Sequence, residues 1–582
     1  MTRGDRDATV ASPEAGAGRA PGASPFAAAG RLARALPGQP WSILAVLVVV
    51  QWLAVVAFAL TVRHNGWLYF QGGDQTWYYT SAWAIGNGEL PVTSVGWGWS
   101  TLLAPIAAIA GPSVLDGLPA ILILQGLLLL PLGLLSIYSI AARLGGRGLG
   151  YAAAGGWIGV PFLLILAADP RYHERWVEQF LPQLLGLTGL ADFPSMVALL
   201  AAAALVLRAL ATRAGADALL AGLVAGFAIG IKPANALFLF GAALAFGLAR
   251  QWGAGLRFAV GLVPALLALL VWKQRGLGEL PLFAFDTVQL AAGAASLPRL
   301  ASSPLASMVA SSYVDVNWGR IDQNLVTLRE YFWNTRLLHV LPFIGLVALG
   351  RRSLPAAGLI GGWFAAYFVV KGASAQATVD SGSFFRLLMP ALPAYFLLVA
   401  AIPLLVPGLG RHLVQAGAQL RPRPAQVGRR AVLAALLGLG LIPLVLLAVL
   451  PRLSPGDAVK YFQNNTYVAQ GAGLDVQAQA LANGTVSLDW SRPGTGGLPV
   501  FYRVMRAPVD ILDCKPVPGG TTDCVFRVTE VTELGHSRDR IWKDQPGPGT
   551  WWYAVGMMAN WLDDETKGDV LIVSRPVSVT VP

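Results

Sequence analysis

A polytopic α-helical membrane protein followed by a small extracytoplasmic β-sandwich is the fold this sequence predicts, and three observations predict it. The 582 residues are 55% hydrophobic and only 13% charged, about half the charged share of an ordinary soluble domain. Apolar runs, many of membrane-spanning length, recur through the first 450 residues. After Leu450 the composition turns to short β-rich runs divided by Gly, Pro and Asp clusters. So little charge cannot cover a soluble protein of this length, which excludes a soluble enzyme for most of the chain.

Residues 1–40 are rich in Ala, Gly, Pro and Arg without periodicity and read as a disordered basic arm. The run Trp41 to Val62 can cross ~30 Å of hydrocarbon. It lies too far from Met1, and lacks the small-residue cleavage site, to be a signal peptide. Further runs follow at about 117–142, 148–168, 193–212, 215–231, 234–250, 256–272, 337–350, 354–370, 387–406 and 431–450. This gives about 11 transmembrane helices in a domain of residues 41–451. Several carry Pro and Gly, which membrane helices tolerate when neighbours satisfy the freed backbone groups.

The charges orient these spans. With the N-terminus inside, the cytoplasmic pieces hold 18 basic residues against four acids, Asp5, Asp7, Glu14 and Asp217. The outer loops before residue 452 hold 12 basic residues and 13 acids. Short, basic inner loops are what the positive-inside rule expects. An odd number of spans then puts the polar tail outside a plasma membrane. The net charge of +11 belongs to this pattern, because the tail from Arg452 has 12 basic and 14 acidic residues. No groove of basic and stacking residues suggests nucleic acid. The preference for Arg over Lys, 35 to 7, suggests a GC-rich bacterial coding sequence. Three outer segments, 63–116, 169–192 and 273–336, exceed mere connections, so the working face is expected outside.

In the tail, 452–475 reads as a linker with room for a short helix, and 476–582 as strands. Val486–Trp490, Phe501–Met505, Cys524–Val528, Trp551–Val555 and Val570–Val573 are the β-rich runs, at a spacing that suits an antiparallel sandwich of about 100 residues. Cys514 and Cys524 are the only cysteines. They form a disulfide if the tail is extracytoplasmic, the alternative being two unpaired thiols. The order Leu488-x-Trp490, Tyr502-x-Val504, Leu534, then Tyr553-x-Val555 resembles a fibronectin type III domain over roughly 476–582. The resemblance implies a core position for Trp490 and adjacent strands held by Tyr502 and Tyr553. With no nucleophile–base pair in it, this module reads as a binder or spacer.

For chemistry, the first outer loop offers Gln71-Gly-Gly-Asp-Gln-Thr-Trp-Tyr-Tyr79. Asp74 stands beside glycines that admit a close ligand and before aromatics that suit sugar rings. It fits equally as a capping residue for a helix starting near Thr76. Asp169, His173 and Glu174 could supply divalent-metal ligands or an extra carboxylate, or simply salt-bridge with Arg171 and Arg175. Outer acids also include Glu89 and Asp192.

The layout as a whole resembles GT-C type membrane glycosyltransferases, most nearly the protein O-mannosyltransferase and lipid A aminoarabinose transferase family. The matching pieces, in order over about 41–406, begin with Asp74 in the first loop, Tyr78-Tyr79 and Gly88-Glu-Leu-Pro91. Arg143-Leu-Gly-Gly146, Asp192-Phe-Pro194, Gly226-Phe-Ala-Ile-Gly-Ile-Lys-Pro233 and Arg386-Leu-Leu-Met-Pro-Ala-Leu-Pro393 follow. Two departures stand out: Gln75 follows Asp74 where many members place a second acid nearby, and Leu387 replaces the usual Tyr. The resemblance implies inverting transfer of a monosaccharide from a polyprenyl-phosphate donor to a glycan, lipid or protein acceptor at the outer face. Asp74 would then be the base that takes the acceptor proton. Arg386 and Lys232 would bind the donor phosphate, each having interfacial snorkelling as its other reading. Tyr78, Tyr79, Glu89, Asp169, His173, Glu174 and Asp192 are candidates for the acceptor side or for support. No cofactor is implied beyond a divalent metal at the acidic groups. A flippase for lipid-linked sugars and a non-catalytic surface-binding protein are the rivals. Convergence of Asp74, Arg386 and the 169–192 segment would separate the enzyme from the scaffold.

Overall fold

The structure is a computed structural model describing residues 40–61, 74–91, 95–277, 317–332, 335–374, 376–406, 428–451, 453, 458–461, 466–493, 500–517, 521–527, 530–559 and 570–582. The basic arm at 1–39 lies outside the described residues. The chain divides into two units, residues 1–50 and 51–582. Of the first, residues 40–50 are described, as the opening turns of the helix Pro40–Thr61.

The protein is a polytopic helical chain with a β-rich C-terminal region. Among the described residues, eight helices are long and apolar enough to cross a membrane. They are Trp41–Thr61, Val114–Gly145, Arg147–Ala167, Asp192–Thr212, Trp252–Arg275, Leu354–Gly372, Ser383–Leu405 and Arg430–Val449. At 1.5 Å per residue, about twenty residues match the hydrocarbon thickness. The expected runs at 215–231 and 234–250 are shorter apolar helices, Gly215–Ile231 and Pro233–Leu248. The run at 337–350 is the helix Thr335–Arg352, which carries Arg351 and Arg352 in its last turn.

The long segments expected outside contain structure of their own. Segment 63–116 holds the helices Asp74–Gly86 and Trp97–Ala110. Segment 169–192 holds Pro170–Phe180 and the short turn Pro182–Leu185. Within 273–336 the helix Trp318–Tyr331 is described. Beneath these, Tyr172, Trp176, Phe180, Phe332 and Phe384 form one apolar cluster.

In the tail the strands are β1 (Ala458–Tyr461), β2 (Thr466–Gln470), β3 (Val476–Ala480), β4 (Val486–Trp490), β5 (Val500–Ala507), β6 (Leu512–Val517), β7 (Thr521–Phe526), β8 (Thr532–Ser537), β9 (Ile541–Asp544), β10 (Gly549–Ala559), β11 (Val570–Val573) and β12 (Val577–Val581). One sheet has the order β3-β4-β9. The other runs β6-β7-β1-β2-β11-β10-β5-β8, with β12 also on β10. The sheets meet at Trp490 and Tyr502, whose ring centroids are 5.5 Å apart. Both rings are buried, as is Tyr553. Strands β5 and β10 pair over eight residues and so set Tyr502 and Tyr553 on neighbouring strands.

The linker expected at 452–475 is corrected by this sheet. Here β1 pairs in parallel with β7, and β2 in parallel with β11. Two short runs of four and five residues pair antiparallel with each other and are tied into the sheet by partners far along the chain. Strand β2 also packs against the helix Asp74–Gly86. Leu90 and the chain at 451–453 exchange backbone hydrogen bonds, Leu90 N–H to Pro451 O at 2.6 Å and Leu453 N–H to Leu90 O at 2.9 Å. Cys514 and Cys524 face each other across β6 and β7 and are disulfide-bonded.

Candidate active site

Four charged side chains from four separate stretches of sequence meet. Arg386 donates to both Asp74 and Asp192, its Nε lying 3.1 Å from Asp192 Oδ2. Lys232 donates to the other oxygen of Asp192. The cluster therefore balances two cations against two carboxylates. Asp192 is almost wholly buried, its side chain 2% exposed, whereas that of Asp74 is 35% and that of Arg386 26% exposed. Asp192 is thus the buried anchor and Asp74 the open member.

Each member is placed by local chemistry. Asp74 opens the helix Asp74–Gly86, an acid in the first turn where the helix dipole favours it. That helix is fixed by its neighbours in sequence. Tyr78 donates to Ile231 O at 3.3 Å, Tyr79 donates to Gly111 O at 2.9 Å, and Gln75 Oε1 accepts from Gly189 N–H at 2.6 Å.

Asp192 begins its helix after a buried, non-helical stretch. Such backbone must find partners, and three side chains supply them. Gln75 takes the Gly189 N–H, Trp99 donates to Gly189 O at 2.9 Å, and Gln125 donates to Thr188 O. Gln125 opens a π-helical segment, Gln125–Leu129, of the kind that re-aims a side chain inside a membrane helix.

Lys232 sits in extended backbone between the helix Gly215–Ile231 and the 3-10 turn Pro233–Leu237. Pro233 cannot continue the helix with a hydrogen bond, so the lysine is left at the break. Helix Trp97–Ala110 starts against this break. A Cβ on Gly98 would lie 2.7 Å from Ile231 N, so only glycine permits the approach. Asn235 donates to Ala228 O at 2.6 Å, and Tyr367 donates to Asn235 Oδ1 at 2.5 Å.

Arg386 follows a turn at Gly382, which has φ +71° and would place a Cβ 2.7 Å from Gln179 Oε1. The preceding loop is pinned by the buried Asn324. Its amide donates to Gly372 O at 3.2 Å and Ala377 O at 2.6 Å, and its oxygen accepts from Val379 N–H at 3.2 Å. Tyr172 donates to Val379 O at 2.7 Å. The helix Pro170–Phe180 thus buttresses the arginine's loop.

The remaining sequence candidates fall elsewhere. Tyr78 and Tyr79 are buried with their hydroxyls on backbone carbonyls, so they hold the helix. Asp169 caps the helix Pro170–Phe180 and pairs with Arg171, with contacts of 2.8 Å to its N–H and 3.1 and 3.0 Å to its guanidinium. These bonds from Arg171 hold the Asp169 carboxyl below the usual carboxylate range. Glu174 is exposed, and His173 is half-buried, its Nδ1 lacking a partner among the described residues. Glu89 follows the turn after the Asp74 helix, its N–H on Ala84 O at 2.9 Å. Among the described residues no three His, Cys, Asp or Glu side chains gather as a metal site.

Sequence reading missed Gln75, Asn235, Asn324, Tyr367 and Lys371. Lys371, one of seven lysines, ends the helix Leu354–Gly372 within electrostatic reach of Lys232. A rare lysine at the end of a span was a usable signal. The amides and the tyrosine carried none, because their role is defined by distant backbone.

No family model matches the chain, and no curated protein matches it. Among solved structures it is similar to the oligosaccharyltransferase AglB of Archaeoglobus fulgidus, in complex with an inhibitory peptide and a dolichol-phosphate. The identity is 16% and the TM-score 0.38, over 70% of this chain and 55% of that one. The apo form of the Archaeoglobus fulgidus enzyme gives 14% identity and a TM-score of 0.37 over 70% and 55%. It is likewise similar to ArnT of Cupriavidus metallidurans bound to undecaprenyl phosphate, at 16% identity and a TM-score of 0.37, over 71% of this chain and 74% of that one. The chain spans about half the length of the archaeal enzyme.

Proposed function

We propose that this protein is a membrane glycosyltransferase that moves a monosaccharide from a polyprenyl-phosphate donor to a hydroxyl acceptor at the outer face, with inversion. The observation that carries the reading is the meeting of Asp74, Asp192, Lys232 and Arg386. A scaffold has no need to gather two partly exposed cations around a buried carboxylate. A flippase is less well matched, since this cluster is built from helix ends and breaks, not from mid-span positions.

The roles follow from exposure. Asp192 fixes Arg386 and Lys232 from beneath and stays buried. The donor phosphate replaces Asp74 on the open side of Arg386 and takes a second contact from Lys232. Asp74, freed from the arginine, takes the proton of the acceptor hydroxyl. The acceptor oxygen then bonds to the sugar C1 from the face opposite the phosphate. The C1–O bond to phosphate breaks, its electron pair leaves with the lipid phosphate, and the two cations stabilise the charge that develops. Orientation with Arg-rich loops inside and the β-rich tail outside rests on the positive-inside pattern.

The test compares purified wild type with Asp74→Asn in lipid, offered a panel of polyprenyl-phosphate sugars and a cell-envelope extract. Transfer by wild type that collapses in the folded variant supports both the reaction and the base. Failure of wild type with every donor overturns the reading.

A further inference from the structure

The β-rich region contains an open cleft of about 800 Å³, lined from β4, β5, β9 and the turn before β9. Four cations line it, Arg492, Arg538, Arg540 and Lys543, against two acids, Asp489 and Asp539. Trp542 supplies aromatic surface, and the buried rings of Phe501 and Tyr502 lie behind it.

Two features distinguish this cleft from an ordinary charged groove. Trp542 is held in place. Its indole lies over Gly535 of β8, where φ is +144° and an added Cβ would come 2.9 Å from the ring. The ring is thus a part-exposed platform bridging the two sheets. Second, Tyr502 is only 1% exposed, and among the described residues its hydroxyl has no hydrogen-bond partner. Burial raises the Tyr502 pKa while the positive charges of Arg492 and Arg540 oppose the rise, so both guanidiniums act on this phenol. A buried polar group without a partner is rare and calls for one. Here it sits at the floor of a cleft rimmed by cations.

Guanidinium pairs favour planar carboxylates and phosphates, and an aromatic platform favours the apolar face of a sugar ring. We propose that this cleft binds an acidic saccharide, with the ring on Trp542 and the anionic group between Arg492 and Arg540. Nothing in this proposal requires glycosyl transfer at the Asp74 cluster.

The experiment is calorimetric titration of the full chain in lipid nanodiscs, without sugar donor. Three probes are used: a galacturonate oligomer, a phosphate-bearing saccharide oligomer and a neutral gluco-oligomer. Binding of either acidic probe at least tenfold tighter than the neutral one is expected, and the better of the two identifies the acid group. Trp542→Ala and Arg540→Gln should each weaken that binding at least tenfold. Arg540 is exposed, so its variant keeps the fold if Trp542→Ala does not. No binding, equal binding of neutral and acidic probes, or unchanged affinity in a folded Arg540→Gln protein overturns the proposal.

Discussion

Replacing Asp74 by Asn separates catalysis from stability and from donor binding. Asp74 is about one-third exposed and is bonded to the open side of Arg386, which keeps its second partner Asp192. The loss of a partly exposed ion pair changes stability by about 1 kcal/mol or less. Loss of a general base removes about 10²–10⁴ in rate, or about 2.7–5.4 kcal/mol of transition-state stabilisation. Donor affinity should hold or rise, because lipid phosphate no longer competes with the carboxylate for Arg386. The assay pairs initial rates of sugar transfer with direct binding of the lipid-phosphate sugar in nanodiscs, and thermal unfolding serves as a control. A variant that loses donor affinity in step with its rate would refute the displacement of Asp74 by phosphate. One that transfers at the wild-type rate would refute its role as base.

The buried partner should behave oppositely. Asp192→Asn leaves Arg386 and Lys232 without their shared carboxylate, so stability should drop by about 3–5 kcal/mol together with activity; unchanged thermal unfolding would contradict its anchoring role. Asn324→Ala should cost about 1–3 kcal/mol through its orphaned buried backbone partners. It should also lower donor affinity by loosening the Arg386 loop, and wild-type donor affinity would show that the loop needs no such strut. Acid should reveal the Asp169 cap. Its folded pKa lies below the unfolded value of about 3.9, so the stabilisation is complete above that value and fades as pH falls through the lowered folded one. Unfolding temperatures of wild type and Asp169→Asn should therefore differ at pH 6 and converge on strong acidification; a constant gap would refute the ion pair's contribution.

Some of this could be read from residues alone. Membrane partition depends on the composition of each run, which is local, and every expected span is a helix in the structure. The core position of Trp490 and the adjacent strands of Tyr502 and Tyr553 were implied by the resemblance to a fibronectin type III domain, which rests on short, local motifs. Asp74 could be nominated because charge near a span is costly wherever it occurs, and Lys232 and Arg386 through the short motifs that carry the family resemblance.

What the tertiary structure decided is which of the nominated groups meet. Arg386 and Asp74 are 312 residues apart in sequence, and no periodicity connects them. Asp192 stood among seven supporting candidates until packing placed it under both cations. Asp169 went to its own helix cap and to Arg171, since a partner two residues away costs little chain entropy to reach. Strands β1 and β2 looked like linker because so short a hairpin becomes part of a sheet only through the neighbours on its two sides, and those are the distant β7 and β11. The sequence by itself determined what each segment can tolerate around it, because transfer energy and backbone preference are properties of short stretches. Only the folded chain decided which charges share a site, because that depends on distances that short stretches do not contain.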